Sequence, residues 1–144
     1  MKVLIIDDER AIRRALKEIL EYENCQVLEA ENGKEGLDLI HSNSLDVIFC
    51  DIKMPLVDGM ELLQQLQHEG NEVPVIMISG HGTLETAVQA IKKGAFDFIE
   101  KPLDLNRILV MLRNVKDRNQ LVQETKILKT TVKKIKGSAI IGET

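Results

Sequence analysis

The sequence predicts a doubly wound α/β domain, with five short parallel strands covered on both faces by helices. Three observations point there. Short apolar runs recur at residues 3–6, 26–30, 47–51, 75–78 and 96–99, and each of the first four is followed by apolar residues at helical spacing. Each run also ends abruptly in polar or turn-forming residues. Strands this short, joined through helices, make crossover units whose sheet must be parallel and covered on both sides.

The run Val3-Leu-Ile-Ile6 stops at Asp7-Asp8-Glu9, and Ala11, Ile12, Leu16, Ile19 and Leu20 then mark the first helix. Acids at a helix N-terminus favour its dipole. Capping accounts for one of the three, not for two adjacent acids after a buried strand. The weaker second strand, 26–30, turns at Asn32-Gly33 into a helix carrying Leu37, Leu39 and Ile40. The central run Val47-Ile-Phe-Cys-Asp51 ends in one acid, and Lys53, Met54, Pro55 and Asp58-Gly59 break the chain behind it. Met60, Leu62, Leu63 and Leu66 form the third helix. The fourth run, 75–78, closes at Ser79-Gly80-His81-Gly82, with Thr83 expected to cap the next helix and Lys93-Gly94 to end it. The fifth strand, 96–99, runs into Glu100-Lys101-Pro102.

A last helix is expected to start near Asp104 and to meet no breaker before Gly137, about 50 Å on at 1.5 Å per residue. Ile108, Leu112 and Val115 suit packing on the sheet. From Leu121 the apolar spacing becomes Leu121, Thr125, Leu128, Val132, Ile135, a 4-3-4-3 seam of barely two heptads. A dimerising coiled coil is preferred here over a single amphipathic linker helix. The lysines among it, Lys126, Lys129, Lys133, Lys134 and Lys136, read as a solvated face. Residues 1–120 are thus one domain, 121–136 a helical linker, and 137–144 the opening of a further domain that the chain is expected to lack.

Bulk properties exclude several classes. The chain has 144 residues, a net charge of −4, 44% hydrophobic residues and no Trp, which argues against a direct nucleic-acid interface. No apolar run reaches membrane-spanning length. Cys25 and Cys50 are expected to be reduced structural thiols in a cytoplasmic protein.

The strand mouths collect Asp7, Asp8, Asp51, Ser79 and Lys101. Converging carboxylates repel unless a cation sits among them, and Mg²⁺ suits a few-carboxylate site with room for water and a phosphoryl group. With a metal and an ammonium beside it, Asp51 can accept a phosphoryl group. Lys101 would supply charge and Ser79 a hydroxyl donor.

The Asp7-Asp8 pair, Asp51-Ile-Lys-Met-Pro55, Ser79-Gly80 and Lys101-Pro102, in that order and spacing, closely resemble the receiver domain of bacterial two-component response regulators. The resemblance covers about residues 1–120 and implies a flavodoxin-like sheet of order 2-1-3-4-5. It implies that Asp51 is phosphorylated by a sensor histidine kinase. It also implies that Asp7, Asp8, Asp51 and the Lys53 backbone carbonyl hold Mg²⁺, that Ser79 and Lys101 engage the phosphoryl group, and that Pro102 follows a cis peptide. Phe98 falls at the family's switch aromatic, with an ordinary core Phe as the other reading. Gly80 to Pro102 is similar to receivers of the nitrogen-regulatory type, which act with the sigma-54 polymerase through an AAA+ ATPase and a DNA-binding domain. Ile140-Ile-Gly-Glu143 resembles the start of that ATPase. A homodimer held by Leu121, Leu128, Val132 and Ile135 would transmit the signal. The resemblance thus points to a signalling switch and not to an enzyme.

Two other classes compete. A Mg²⁺-dependent phosphohydrolase with an aspartyl-phosphate intermediate commonly carries a second acid two residues after its nucleophile, where this chain has Lys53. A dinucleotide-binding domain would need a glycine-rich loop after the first strand, and none is present.

Overall fold

Among the described residues, five β-strands of four or five residues alternate with five helices. The computed structural model describes residues 1–80 and 84–142, with side chains described for 1–80 and 85–126. The order is β1 (Lys2–Ile6), α1 (Arg10–Tyr22), β2 (Gln26–Ala30), α2 (Gly33–Ser42), β3 (Val47–Asp51), α3 (Gly59–His68), β4 (Val75–Ser79), α4 (Leu84–Lys92), β5 (Asp97–Glu100) and α5 (Leu105–Gly142). All strand pairs are parallel, in the order β2-β1-β3-β4-β5. The predicted fold class and strand order are those observed.

Burial follows the two-residue period of a strand covered on both sides. Leu4, Ile6, Ile48, Cys50, Val75 and Met77 join Leu37, Ile40, Leu62, Leu63 and Leu66 of α2 and α3 in one core cluster. The alternate residues Val3, Ile5, Val47, Phe49, Ile76 and Ile78 are just as buried, as are Leu16 and Leu20 of α1. β3 and β4 are buried at every position, which explains their continuous apolar runs.

Local signals place the helix starts. Asn32 accepts a hydrogen bond from the Glu35 backbone at 2.8 Å, and Asp58 one from Glu61 at 2.9 Å, each satisfying an otherwise unpaired first-turn donor. Gly59 is needed because a side chain there would meet the Asp51 carbonyl oxygen and Met77. Its N–H donates to the Ile52 carbonyl at 2.8 Å, fastening α3 to the end of β3.

The Thr83 cap, with His81, lies outside the described residues. β5 begins at Asp97 instead of Phe96, whose N–H already donates to the Val75 carbonyl at 2.8 Å. The helix expected to meet its first breaker at Gly137 continues to Gly142. A lone glycine costs a helix about 1 kcal/mol and stops it only with a left-handed cap or a following proline. The chain divides into two compact units, Met1–Leu109 and Val110–Thr144. In the second, Met111, Leu112 and Val115 are buried and Leu121 is exposed. Leu128, Val132 and Ile135 of the expected seam lie outside the described side chains. Among the described residues no helix is long and apolar enough to cross a membrane.

Candidate functional site

The site lies where β1 and β3 run side by side while β2 leaves to one side and β4 to the other, the crevice at which parallel sheets bind ligands. Ile6 is paired in register with Cys50, so the next residues along, Asp7 and Asp51, emerge together at the mouth. Both are buried, Asp7 completely and Asp51 to 5% exposure.

Asp7 is fixed by its neighbours. Its N–H donates to the Ala30 carbonyl at 3.1 Å, its Oδ1 accepts the Glu9 N–H at 2.8 Å, and its carbonyl accepts from Arg13 Nη1 at 2.6 Å. Glu9 occupies the N-cap of α1 but makes no side-chain capping bond, so capping is not what the acidic run does here. Asp7 Oδ2 is buried with no hydrogen-bond partner, its nearest cation being Lys101 Nζ at 3.4 Å. Lys101 Nζ lies 3.6 Å from Asp51 Oδ2 and 2.9 Å from Glu9 Oε1, where it donates a hydrogen bond. One ammonium thus faces three carboxylates.

The charge imbalance shows in proton affinities. Burial, then the neighbouring Asp7 and Asp8, push the Asp51 carboxyl up to about 6 against the pull of Lys101 and the Lys53 N–H. Burial also raises Asp7, although the Glu9 N–H and Lys101 oppose it. Burial pulls the Lys101 ammonium down, but Glu9, Asp7 and Asp51 outweigh it and hold it above the usual lysine range. Cys50 Sγ donates to the Asp51 carbonyl at 3.4 Å, and complete burial pushes that thiol far up, which keeps it protonated and out of the chemistry.

The other predicted residues fall around this pair. Ser79 ends β4, 7% exposed, and its carbonyl accepts the Lys101 N–H at 2.8 Å, so the hydroxyl and ammonium bearers are tied through the backbone. The Lys101–Pro102 peptide is cis. Phe98 is half-buried and packs against the core cluster. Asp8 lines an open cavity with Ile52, Lys53, Met54, Pro55 and Asp58.

Residues 3–113 match the response regulator receiver domain family. The chain belongs to that family. It is 42% identical over 129 residues to the nitrogen assimilation regulatory protein NtrX of Azorhizobium caulinodans, covering 88% of this chain and 28% of that one. It is 38% identical over 129 residues to the C4-dicarboxylate transport regulator DctD of Pseudomonas aeruginosa, covering 89% and 28%. The chain therefore spans less than a third of these relatives. Among solved structures it resembles the receiver domain of NtrX from Brucella abortus (TM-score 0.74, 37% identity, 78% of this chain and 96% of that one). It also resembles a response regulator receiver domain from Clostridium thermocellum (TM-score 0.79, 36% identity, covering 84% and 98%).

The donor set of this receiver domain fits a hard cation. Asp7, Asp8, Glu9 and Asp51 each offer an oxygen within 4.8 Å of the others. The unpartnered Asp7 Oδ2 supplies a buried acceptor that a divalent ion would satisfy. Two contributors escaped sequence reasoning. Glu9 was visible only as the third acid of a run, and its pairing with a lysine 92 positions away comes from the fold. Arg13, between the Asp7 carbonyl and Glu29 at 3.6 Å, carried no sequence signal beyond one cation on an amphipathic helix.

Proposed function

We propose that this receiver domain is a phospho-accepting switch whose acceptor is Asp51, phosphorylated by a sensor histidine kinase. The observation that carries the reading is the Asp51 carboxylate, buried at a strand mouth 3.6 Å from one lysine ammonium and beside a second buried acid, Asp7, whose Oδ2 lacks a hydrogen-bond partner. Such a group is desolvated and short of positive charge, which suits it to take up a cation and a phosphoryl group together.

An Asp51 oxygen would attack phosphorus as the bond to the donor imidazole nitrogen breaks, the electron pair leaving with the imidazole, which then takes a proton. Asp7, Asp8, Asp51 and the Lys53 carbonyl would hold Mg²⁺, which screens the phosphoryl oxygens from the attacking carboxylate when bound. Lys101 would neutralise a phosphoryl oxygen, and Ser79, tied to Lys101 through the backbone, would donate its hydroxyl to another. Phe98 would then repack as Ser79 moves, coupling the site to the surface of α4 and β5.

The relatives are named as regulators, which supports a regulatory output. Residues 1–120 would act as the receiver and 121–136 as a linker that pairs two copies through Leu121, Leu128, Val132 and Ile135. The segment 137–144 would lead toward an AAA+ ATPase and a DNA-binding domain of a sigma-54-dependent activator in the cytoplasm. Removing 121–144 is expected to halve the mass seen in sedimentation.

Intact mass after incubation with acetyl phosphate and Mg²⁺ tests the acceptor. The native chain is expected to gain one phosphoryl group only with Mg²⁺, and Asp51→Asn none. Steady phosphate release from simple esters without an adduct would favour the hydrolase and sink the switch.

A further inference from the structure

We propose that Glu9 is a latch for Lys101: its carboxylate holds the ammonium at rest, and the phosphoryl group formed on Asp51 has to take the lysine from it. The inference rests on the phospho-acceptor reading and adds a residue that the predicted site omits.

Three distances and three exposures carry it. Lys101 Nζ is 2.9 Å from Glu9, against 3.4 Å from Asp7 and 3.6 Å from Asp51, and of the three only the Glu9 contact is a hydrogen bond. The resting lysine is therefore committed to Glu9 and not to the proposed acceptor Asp51. The Glu9 side chain is 59% exposed, whereas those of Asp7 and Asp51 are 0% and 7% exposed. A released Glu9 carboxylate returns to water, where an ion pair is worth little. A released Asp7 or Asp51 would stay desolvated. Glu9 is thus the only one of the three from which the ammonium can be drawn at small cost, and a phosphoryl dianion is a stronger partner than one carboxylate. The Glu9 backbone meanwhile stays anchored by its N–H to Asp7 Oδ1, so the side chain can swing away while the helix start holds. Glu9 is a positioning residue, acting on the reaction through Lys101.

Two variants separate the latch from plain charge. Glu9→Ala removes both reach and charge; Glu9→Asp keeps the charge but shortens the side chain by one methylene, beyond hydrogen-bond distance. In the chain labelled with ¹⁵N-lysine, without any phosphodonor, the Lys101 Nζ signal is expected to be slow to exchange in the native protein and broadened in both variants. Acetyl phosphate with Mg²⁺ then reads the consequence. An Asp51 oxygen bonds to phosphorus, the bond from phosphorus to the acetyl oxygen breaks, and acetate leaves with the electron pair. The acetyl phosphate concentration giving half-maximal adduct is expected to fall about threefold in both variants, the size an exposed ion pair commands.

A fall in Glu9→Ala alone would assign the effect to charge and overturn the latch, as would a native Lys101 signal indistinguishable from the variants. A rise in the Mg²⁺ midpoint of both variants with an unchanged lysine signal would make Glu9 a cation ligand and overturn it too. Failure of the native chain to form any adduct would instead bring down the phospho-acceptor reading, with the lysine spectra still deciding whether the contact exists.

Discussion

At the N-terminal edge of the sheet, the Lys2 N–H donates to Asp46 Oδ2 at 2.6 Å, its Nζ donates to Asn43 at 2.8 Å, and the Asp46 N–H returns to the Lys2 carbonyl at 2.8 Å. At the C-terminal edge of the same strands, one lysine serves Asp7, Glu9 and Asp51, and a buried carboxylate oxygen has no hydrogen-bond partner. Between the two edges lies one run of apolar side chains. The strands are alike along their length, so the difference is in what each end is for. The lower edge pairs its polar groups and closes the sheet, whereas the upper edge carries a surplus of negative charge that costs stability until something positive arrives.

That contrast can be broken most forcefully inside β3. Phe49→Ala, at a fully buried position, is expected to cost about 3–5 kcal/mol in urea unfolding. Asp51→Asn, two residues further along the same strand, is expected to stabilise the cation-free protein at pH 7.5. Loss of stability in Asp51→Asn would mean that the upper edge is no more strained than the lower.

The pH dependence has a definite sign. The Asp51 carboxyl rises from 3.8 to about 6 on folding, so between those values the native state holds more protons than the unfolded one. Stability then falls as pH rises from about 4 to about 6.5 and is flat above. The two-unit shift sets an upper limit of about 3 kcal/mol. Asp7, also raised, adds to the fall. Asp51→Asn is expected to flatten most of the slope, and an equal slope in that variant would show that Asp51 is not the strained acid.

Adding Mg²⁺ should undo the same strain. At ten times its dissociation constant it is expected to stabilise the native chain by about 1.4 kcal/mol, through mass action on the folded state alone. In Asp51→Asn the gain at the same concentration should shrink, since one oxygen ligand has become an amide. Equal midpoint shifts in both proteins would place the ion elsewhere.

The fold was legible because β1, β3 and β4 are apolar on both faces and stop at a turn or an acid, the pattern of the inner strands of a covered parallel sheet. Asp7, Asp51 and Ser79 stood out as candidates because each closes such a run, and Lys101 because it follows the end of the fifth strand. What stayed hidden depends on long-range geometry. Nothing in the local order says that Lys101 bonds Glu9 in preference to Asp51, or that Arg13 reaches back to the Asp7 carbonyl. The end of α5 was misread at Gly137 because an isolated glycine only weakens a helix.

The smallest effect is expected at the lower edge, and it tests whether that edge is indifferent to charge. Asp46→Asn keeps an oxygen that can accept the Lys2 N–H but removes the negative charge. If the contact serves closure, the cost is about 1 kcal/mol or less, the usual worth of one hydrogen bond with a charged partner weakened and not lost. The variant should keep the native slope between pH 4 and 6.5 and the native response to Mg²⁺ if both are set by the acids clustered at the upper edge. A changed slope would mean that charge at one edge is felt at the other through the apolar middle. The contrast between the edges would then be one of degree, set by the field of the whole sheet instead of by the groups at each mouth.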